Sequence, residues 1–232
     1  MRGLYAIIDV ETLERRGLDP FPFAEAVLSA RPTAIQVRDK LGGPRRALAL
    51  LRAISPIAGR AGVPLFANDR PDLALLARCD GVHVGQDDVS VAMVRSLGAQ
   101  AGALLRVGLS THDARDVDAA LDDEPDYVAM GPVFATSSKA RPSPVIGIDG
   151  LTQLAARVRR ARPGLPIVAI GGITPANARA VGAITGAAAV IAALLPDDGC
   201  AAPYDAVAER ARALHVAIAG VERPRVTAGG GM

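Results

Sequence analysis

Ala169-Ile170-Gly171-Gly172-Ile173-Thr174-Pro175 sets two glycines at the end of a short apolar run, Pro166–Ile170. It is the seventh such run. Leu4–Ile8, Ala34–Val37, Pro64–Ala67, Gly81–Val84, Leu105–Leu109 and Tyr127–Met130 precede it, and Ala187–Ile191 follows. The runs are continuous rather than alternating, as in parallel strands buried on both faces. Between them apolar residues recur at helical spacing, as in Ala47, Leu48, Leu51 and Ile54, and in Leu151, Leu154, Ala155 and Val158. Eight strands alternating with helices over 232 residues predict an α/β fold, a (β/α)₈ TIM barrel in a single domain. The position of the glycines argues against the competitor, an open doubly wound sheet. That fold places its glycine-rich phosphate loop after the first strand. Here the first run ends in Asp9-Val10-Glu11, without glycine. In barrels, phosphate sites form in the loops after strands seven and eight.

The barrel is expected to fill residues 1–221, and the Gly-, Pro- and Arg-containing segment 222–232 to be a frayed tail. Helix starts are expected at Asp149 and at Thr174-Pro175, and the last helix from Tyr204 to Ala219. Half the residues are hydrophobic, 3% are aromatic and tryptophan is absent, so the core must be Ala, Val, Leu and Ile. A net charge of +2, without aromatic-plus-basic clusters, argues against a nucleic-acid partner. Arg157, Arg159 and Arg160 read as solvated helix surface. Cys79 and Cys200 form neither a metal-spaced pair nor a disulfide framework and are expected to be reduced. The chain enters its first strand directly, so no signal peptide is expected. The longest apolar run, Ala187–Leu195, is too short for a bilayer. The expectation is a cytoplasmic protein with no membrane partner.

Of the 26 basic residues only two are lysine, Lys40 and Lys139, and each follows an apolar run. Arginine serves wherever any cation will do. The two retained lysines point to positions that need a compact ammonium on a flexible stem, such as one following a phosphate. Chance and solubility are the plainer reading of either lysine alone. Listed by strand end, the inventory is coherent: Gln36, Arg38 and Lys40; Asn68 and Asp69; His83, Gln86, Asp87 and Asp88; Ser110 and His112; Thr136, Ser137, Ser138 and Lys139; Gly171 and Gly172. Two cations, two acidic loops and hydroxyl-rich loops fit a polyanion held with a divalent metal, because Mg²⁺ takes one or two carboxylates plus phosphate oxygens and water. Asp69 and one of Asp87 or Asp88 are the candidate carboxylates, although both segments also suit turns or helix caps. Gly171-Gly172 offers bare amides beside a helix start, or simply a tight turn. His83 reads as a packed histidine within its strand. His112 fits a cap, a ligand support or a proton carrier, and His215 reads as surface or packing. Ser110 and His112 lie too close in sequence to argue a catalytic triad.

Six segments together resemble the thiamine phosphate synthase family over roughly residues 3–195. They are Gln-Val-Arg-Asp-Lys (36–40), Asn-Asp-Arg (68–70), Gly-Val-His-Val-Gly-Gln-Asp-Asp (81–88), Gly-Leu-Ser-Thr-His (108–112), Gly-Pro-Val-Phe-Ala-Thr-Ser-Ser-Lys (131–139) and Ala-Ile-Gly-Gly-Ile (169–173). The resemblance implies a Mg²⁺-dependent transferase. It would join 4-amino-2-methyl-5-hydroxymethylpyrimidine diphosphate to thiazole phosphate, releasing pyrophosphate through a dissociative pyrimidine-cation mechanism. It implies Arg38, Lys40, Asn68 and Lys139 as the diphosphate grip, Asp69 and Asp88 as metal ligands, and Gln36 as a pyrimidine contact. Ser110 falls near the reacting centre, so that Ser110, Lys139 and Arg38 form the catalytic set. Thr136, Ser138 and Gly172 would hold the thiazole phosphate. The partners implied are these two small molecules; assembly into a homo-oligomer is left open.

The chain departs from the pattern once. Where the family has a Val-Ile-Ser or Val-Ser turn after strand eight, it reads Ala-Val-Ile-Ala-Ala-Leu-Leu (189–195). A serine hydrogen bond to a charged phosphate is worth about 1.5–3 kcal/mol, so backbone amides near Ala192 and Ala193 would have to suffice. Three other readings compete: a thiazole tautomerase-like paralogue using His112, a non-catalytic regulatory barrel binding thiamine phosphates, and a phosphate-binding barrel of another pathway. Retention of Arg38, Lys40, Asp69, Asp88 and Lys139 favours the synthase. Lys139→Arg, which keeps the charge, is expected to lower turnover at least about tenfold in a pyrophosphate-release assay. Full activity would remove the argument from the two lysines.

Overall fold

The computed structural model describes residues 1–136 and 144–220. Eight strands close a barrel in chain order, all pairs parallel: β1 (Gly3–Asp9), β2 (Ala34–Arg38), β3 (Leu65–Asn68), β4 (Gly81–Val84), β5 (Arg106–Thr111), β6 (Tyr127–Met130), β7 (Ile167–Ile170) and β8 (Gly186–Val190). Closure is made by β1 against β8, with Gly3 opposite Ala187 and Ala6 opposite Val190. Every expected run forms a strand; Gly81–Val84 and Tyr127–Met130 match at both ends, and no other end is displaced by more than two residues. Nine α-helices surround the barrel among the described residues: α1 (Val10–Arg15), α2 (Pro20–Leu28), α3 (Gly43–Ala61), α4 (Pro71–Leu76), α5 (Val91–Gln100), α6 (Ala114–Asp123), α7 (Gly147–Ala161), α8 (Ala178–Thr185) and α9 (Pro203–Ala219).

Strand side chains alternate between two cores. Leu4, Ala6 and Ile8 of β1 face outward to the helices, where Leu51 and Ile54 of α3 and Leu151 and Val158 of α7 also pack. Tyr5 and Ile7 face inward with Ala34, Phe66, Tyr127, Ala129, Val168, Ala187 and Ala189. The rings of Tyr5, Phe66 and Tyr127 meet edge to face, with centroids 5.6–5.9 Å apart. Three large rings fit inside an eight-stranded barrel because β8 contributes only alanines inward and β5 contributes Gly108. A Cβ on Gly108 would lie 2.0 Å from the Tyr127 ring. Three of the seven aromatics thus line the barrel interior, while Phe23 is the one aromatic buried in the outer core among the described residues, with Phe21, Phe134 and Tyr204 packed against its edge.

Two expected helix starts are displaced. Thr174-Pro175 lies in a turn ahead of α8, which begins at Ala178. The Thr174 N–H donates to Asn177 Oδ1 at 2.8 Å and Asn177 Nδ2 donates to the Gly172 carbonyl at 3.0 Å. This side-chain loop competes with helix through the first three positions. Asp149 lies inside the first turn of α7 rather than capping it. The start is set by tertiary bonds instead: Ile146 N–H to the Pro132 carbonyl at 2.9 Å and Gly147 N–H to the Val133 carbonyl at 3.0 Å. The last helix starts at Pro203, one residue early. Cys79 is buried, Cys200 half-buried, and both are free. No described helix is long and apolar enough to cross a membrane. The expected tail, 222–232, lies outside the described residues, as does 137–143 with Ser137, Ser138 and Lys139.

Candidate active site

A cleft opens at the C-terminal ends of the strands. Gln36, Arg38, Lys40, Asn68, Asp69, Asp88, Ser110, Thr136 and Gly172 all line it. Asp87 does not, and is exposed. The two aspartates are neighbours in the turn after β4, and the fold of that turn distinguishes them. The Gly85 N–H donates to Asp88 Oδ2 at 2.8 Å, folding Asp88 back over the cleft.

Arg38 ends β2 and meets two carboxylates from the start of the chain. Its guanidinium donates to Asp9 Oδ2, and Glu11 Oε2 lies 3.8 Å away. Asp9 and Glu11 are 3% and 9% exposed, so Arg38 is the cation that makes their burial tolerable. Asp9 also accepts from the Thr12 N–H, capping α1. Glu11 Oε1 accepts from the Lys40 and Leu41 N–H groups at 2.5 and 2.7 Å, tying the β2 loop to the β1 loop. Sequence reading used Asp9-Val10-Glu11 only for its missing glycine; no local signal tied these residues to position 38.

Lys40 Nζ lies 3.0 Å from Asp69 Oδ2. Asp69 adopts φ +60° and donates its N–H to the His83 carbonyl at 2.8 Å. A left-handed non-glycine residue costs on the order of 1 kcal/mol, and here it turns the carboxylate out of the strand line into the cleft. Asp88 faces Asp69. Partial burial raises the Asp88 carboxyl above its ordinary range, and the opposed Asp69 raises it further. Among the described residues no group of three or more His, Cys, Asp or Glu side chains is placed to hold a metal. Two opposed carboxylates from different strand ends fit an ion that draws its other ligands from substrate and water, as Mg²⁺ does. The mouth is lined by Arg38 and Lys40 and by Asp69 and Asp88, with Asp9 and Glu11 buried behind Arg38 and drawing on its charge.

Below the charged rim the cleft is polar but neutral. Gln36, 2% exposed, donates through Nε2 to Asn68 Oδ1 at 2.8 Å. Gln86 Nε2 donates to the Ser110 carbonyl at 2.6 Å and steadies the end of β5. His83 is more than a packing residue: its ring lines the cleft, with Nε2 2.9 Å from Ser110 Oγ and Nδ1 2.9 Å from the Tyr127 hydroxyl. Strand alternation could have flagged it, since His83 shares the inward parity of Gly81. His112 also lines the cleft; Asp116 Oδ2 lies 2.9 Å from its Nδ1 and accepts its backbone N–H. His215 is half-buried and packs against Gly3, far from this face.

The opposite wall is backbone. Gly171 and Gly172 have φ +99° and +64°. A Cβ on Gly172 would lie 2.6 Å from Phe134 Cβ and 2.7 Å from the Ala135 carbonyl oxygen. The Phe134 N–H donates to the Gly171 carbonyl at 3.0 Å, so the β6 and β7 loops form one wall. Gly172→Ala is expected to lower the unfolding free energy by about 1–3 kcal/mol, read from urea denaturation. A wild-type midpoint would show that the 134–135 segment moves aside freely. After β8 the serine-free stretch forms a single 3₁₀ turn, Ala192–Leu194, and Val190, Ile191 and Ala192 line the cleft. The N–H groups that open such a turn have no partner within it.

The chain is similar to known proteins over most of its length. The family model for thiamine monophosphate synthase matches residues 4–194. The chain is 39% identical over 201 residues to the thiamine-phosphate synthase of Chloroflexus aurantiacus, covering 86% of this chain and 88% of that protein. It is 40% identical over 215 residues to the thiamine-phosphate synthase of Roseiflexus castenholzii, covering 90% of each. Among solved structures, thiamine phosphate pyrophosphorylase from Pyrococcus furiosus superposes with a TM-score of 0.76 at 26% identity, over 93% of this chain and 95% of that one.

Proposed function

The chain belongs to the thiamine monophosphate synthase family, and from that premise we propose that it is a transferase forming thiamine phosphate from 4-amino-2-methyl-5-hydroxymethylpyrimidine diphosphate and thiazole phosphate, with Mg²⁺. The observation that carries the reading is the opposition of Asp69 and Asp88 across a cleft that also holds Arg38 and Lys40. A diphosphate alone would be repelled by the two carboxylates, and the cations beside them are already engaged, Lys40 by Asp69 and Arg38 by Asp9. A diphosphate with a divalent cation would not.

In this reading Arg38, Lys40, Asn68 and Lys139 bind the diphosphate, and Gln36 and Ser110 orient the pyrimidine and its reacting carbon. Asp69 and Asp88 would hold Mg²⁺. Bound there, the ion supplies positive charge against the departing diphosphate. The bond between the pyrimidine methylene carbon and the diphosphate oxygen breaks, and its electron pair leaves with the oxygen. The lone pair of the thiazole nitrogen then forms the new C–N bond. No protein nucleophile or base is consumed. The residues act by positioning two reactants and by donating hydrogen bonds where negative charge grows. Thr136, Ser138, the Gly172 amide and the opening amides of the Ala192–Leu194 turn would hold the thiazole phosphate. Backbone donors in that turn make the missing serine tolerable, because an amide bonds an anion as a hydroxyl does. His112, held by Asp116, does not separate a synthase from a tautomerase.

The test is pyrophosphate release by the whole chain with both substrates, with and without Mg²⁺. Release that needs thiazole phosphate and Mg²⁺, with thiamine phosphate formed, is the expected result. Binding of thiazole phosphate without turnover would favour the tautomerase or regulatory reading.

A further inference from the structure

Four side chains from four strands form one hydrogen-bonded line at the floor of the cleft. The Tyr5 hydroxyl of β1 lies 2.8 Å from the Tyr127 hydroxyl of β6, which lies 2.9 Å from His83 Nδ1 of β4. His83 Nε2 lies 2.9 Å from Ser110 Oγ of β5. The Tyr127 and His83 rings stack at 5.6 Å, which fixes their relative orientation. Both tyrosines are 1% exposed, and burial pushes both phenols well above their ordinary range, so each keeps its proton.

A phenol has one proton to give, so the line has only two directions. In the first, Tyr5 donates to Tyr127, Tyr127 donates to an unprotonated His83 Nδ1, and His83 carries its proton on Nε2. In the second, His83 donates from Nδ1 to Tyr127, and Tyr127 donates to Tyr5. The Tyr5 proton is then left beside the Phe66 ring and the inward alanines, with no other acceptor among the described residues. A doubly protonated His83 leads to the same orphan. Buried donors without acceptors are rare because their desolvation is uncompensated. The first direction strands no proton.

We propose that Tyr127, backed by Tyr5, holds His83 as its Nε2–H tautomer, so that Ser110 accepts from the imidazole and presents its own O–H to the cleft. Tyr127, Tyr5 and His83 are then positioning residues that act through Ser110. Only the last consequence rests on the synthase reading: the serine proton is aimed as a donor toward an oxygen of the departing diphosphate, where negative charge grows as the C–O bond breaks. A serine whose proton turned back toward His83 would offer that oxygen a lone pair and repel it.

The experiment labels histidine with ¹⁵N in the whole chain and reads both ring nitrogens by long-range ¹H–¹⁵N correlation. The three histidines are told apart by the signals that vanish in His83→Gln. Wild type is expected to show Nδ1 unprotonated and Nε2 protonated at His83. Tyr5→Phe should keep that pattern, because Tyr127 still has His83 as an acceptor. Tyr127→Phe should lose it, and so should the pair Tyr5→Phe/Tyr127→Phe, which replaces both partners by apolar groups of the same shape and so spares the fold. In the pair, kcat is expected to fall about tenfold with either KM within about threefold. In a Ser110→Ala background the same pair should cost less than about twofold more, since its effect passes through the serine. Protonated Nδ1 in wild type, an unchanged tautomer in the pair, or a full further loss without Ser110 would each overturn the proposal. A wild-type chain that lacks turnover would remove the synthase reading and the role of Ser110 with it, while the tautomer is still decided on the same sample.

Discussion

Arg38→Ala is expected to lower turnover on the order of a hundredfold and to destabilise the fold by about 3 kcal/mol. Two separate losses meet at this residue. The guanidinium is a member of the proposed diphosphate grip, and it is also the countercharge of Asp9 and Glu11, whose side chains are 4% and 10% exposed. Removing one partner of a buried pair leaves an uncompensated charge, which costs more than the pair contributed. Breaking a buried pair costs about 3–5 kcal/mol, and the lower end applies because each carboxylate keeps backbone donors: Thr12 for Asp9, and Lys40 and Leu41 for Glu11. Arg38→Lys separates the losses. It returns a charge without the planar fork, so much of the stability should return while turnover stays low. Urea unfolding and pyrophosphate release on the same preparations make the comparison. Near-wild-type turnover in a folded Arg38→Ala would take Arg38 out of the diphosphate grip.

Asp88→Asn should behave in the opposite way toward the fold. Asn keeps an oxygen to accept the Gly85 N–H, and it relieves the opposition to Asp69 that raises the Asp88 carboxyl. Stability is expected to hold or rise slightly. The Mg²⁺ concentration for half-maximal rate is expected to rise at least about tenfold, because one of two carboxylates is lost from an ion that relies on few protein ligands. Titration of Mg²⁺ against initial rate reads this directly. An unchanged dependence would move the metal away from Asp88 and make the exposed Asp87 the next candidate.

Much of the lining of the candidate site could be read before any fold was seen. Arg38, Asn68, Asp69 and Ser110 were identifiable because a strand buried on both faces leaves an apolar run, and its C-terminal end is marked by the first polar residues after it; Gln36 is the polar residue that interrupts such a run, and Gly172 belongs to the glycine pair after the seventh. Choosing Asp88 over Asp87 needed a family resemblance. The structure adds the physical reason, the Gly85 N–H that folds Asp88 over the cleft, whose lining does not include Asp87.

By itself the sequence determined the strand order, the barrel and which loops carry charge, because hydrophobic period and glycine placement are local properties of the chain. Only the tertiary structure decided which groups face one another. Asp9 meets Arg38 across 29 residues and His83 meets Ser110 across 27. Tyr5 reaches Tyr127 across 122. Such pairs are set by strand stagger and barrel closure, which bring distant inward-facing side chains to one level. Nothing in the residues beside Asp9 or Tyr5 records that meeting, so an aspartate read as a strand end becomes an arginine's partner, and a core tyrosine becomes the end of a hydrogen-bonded line.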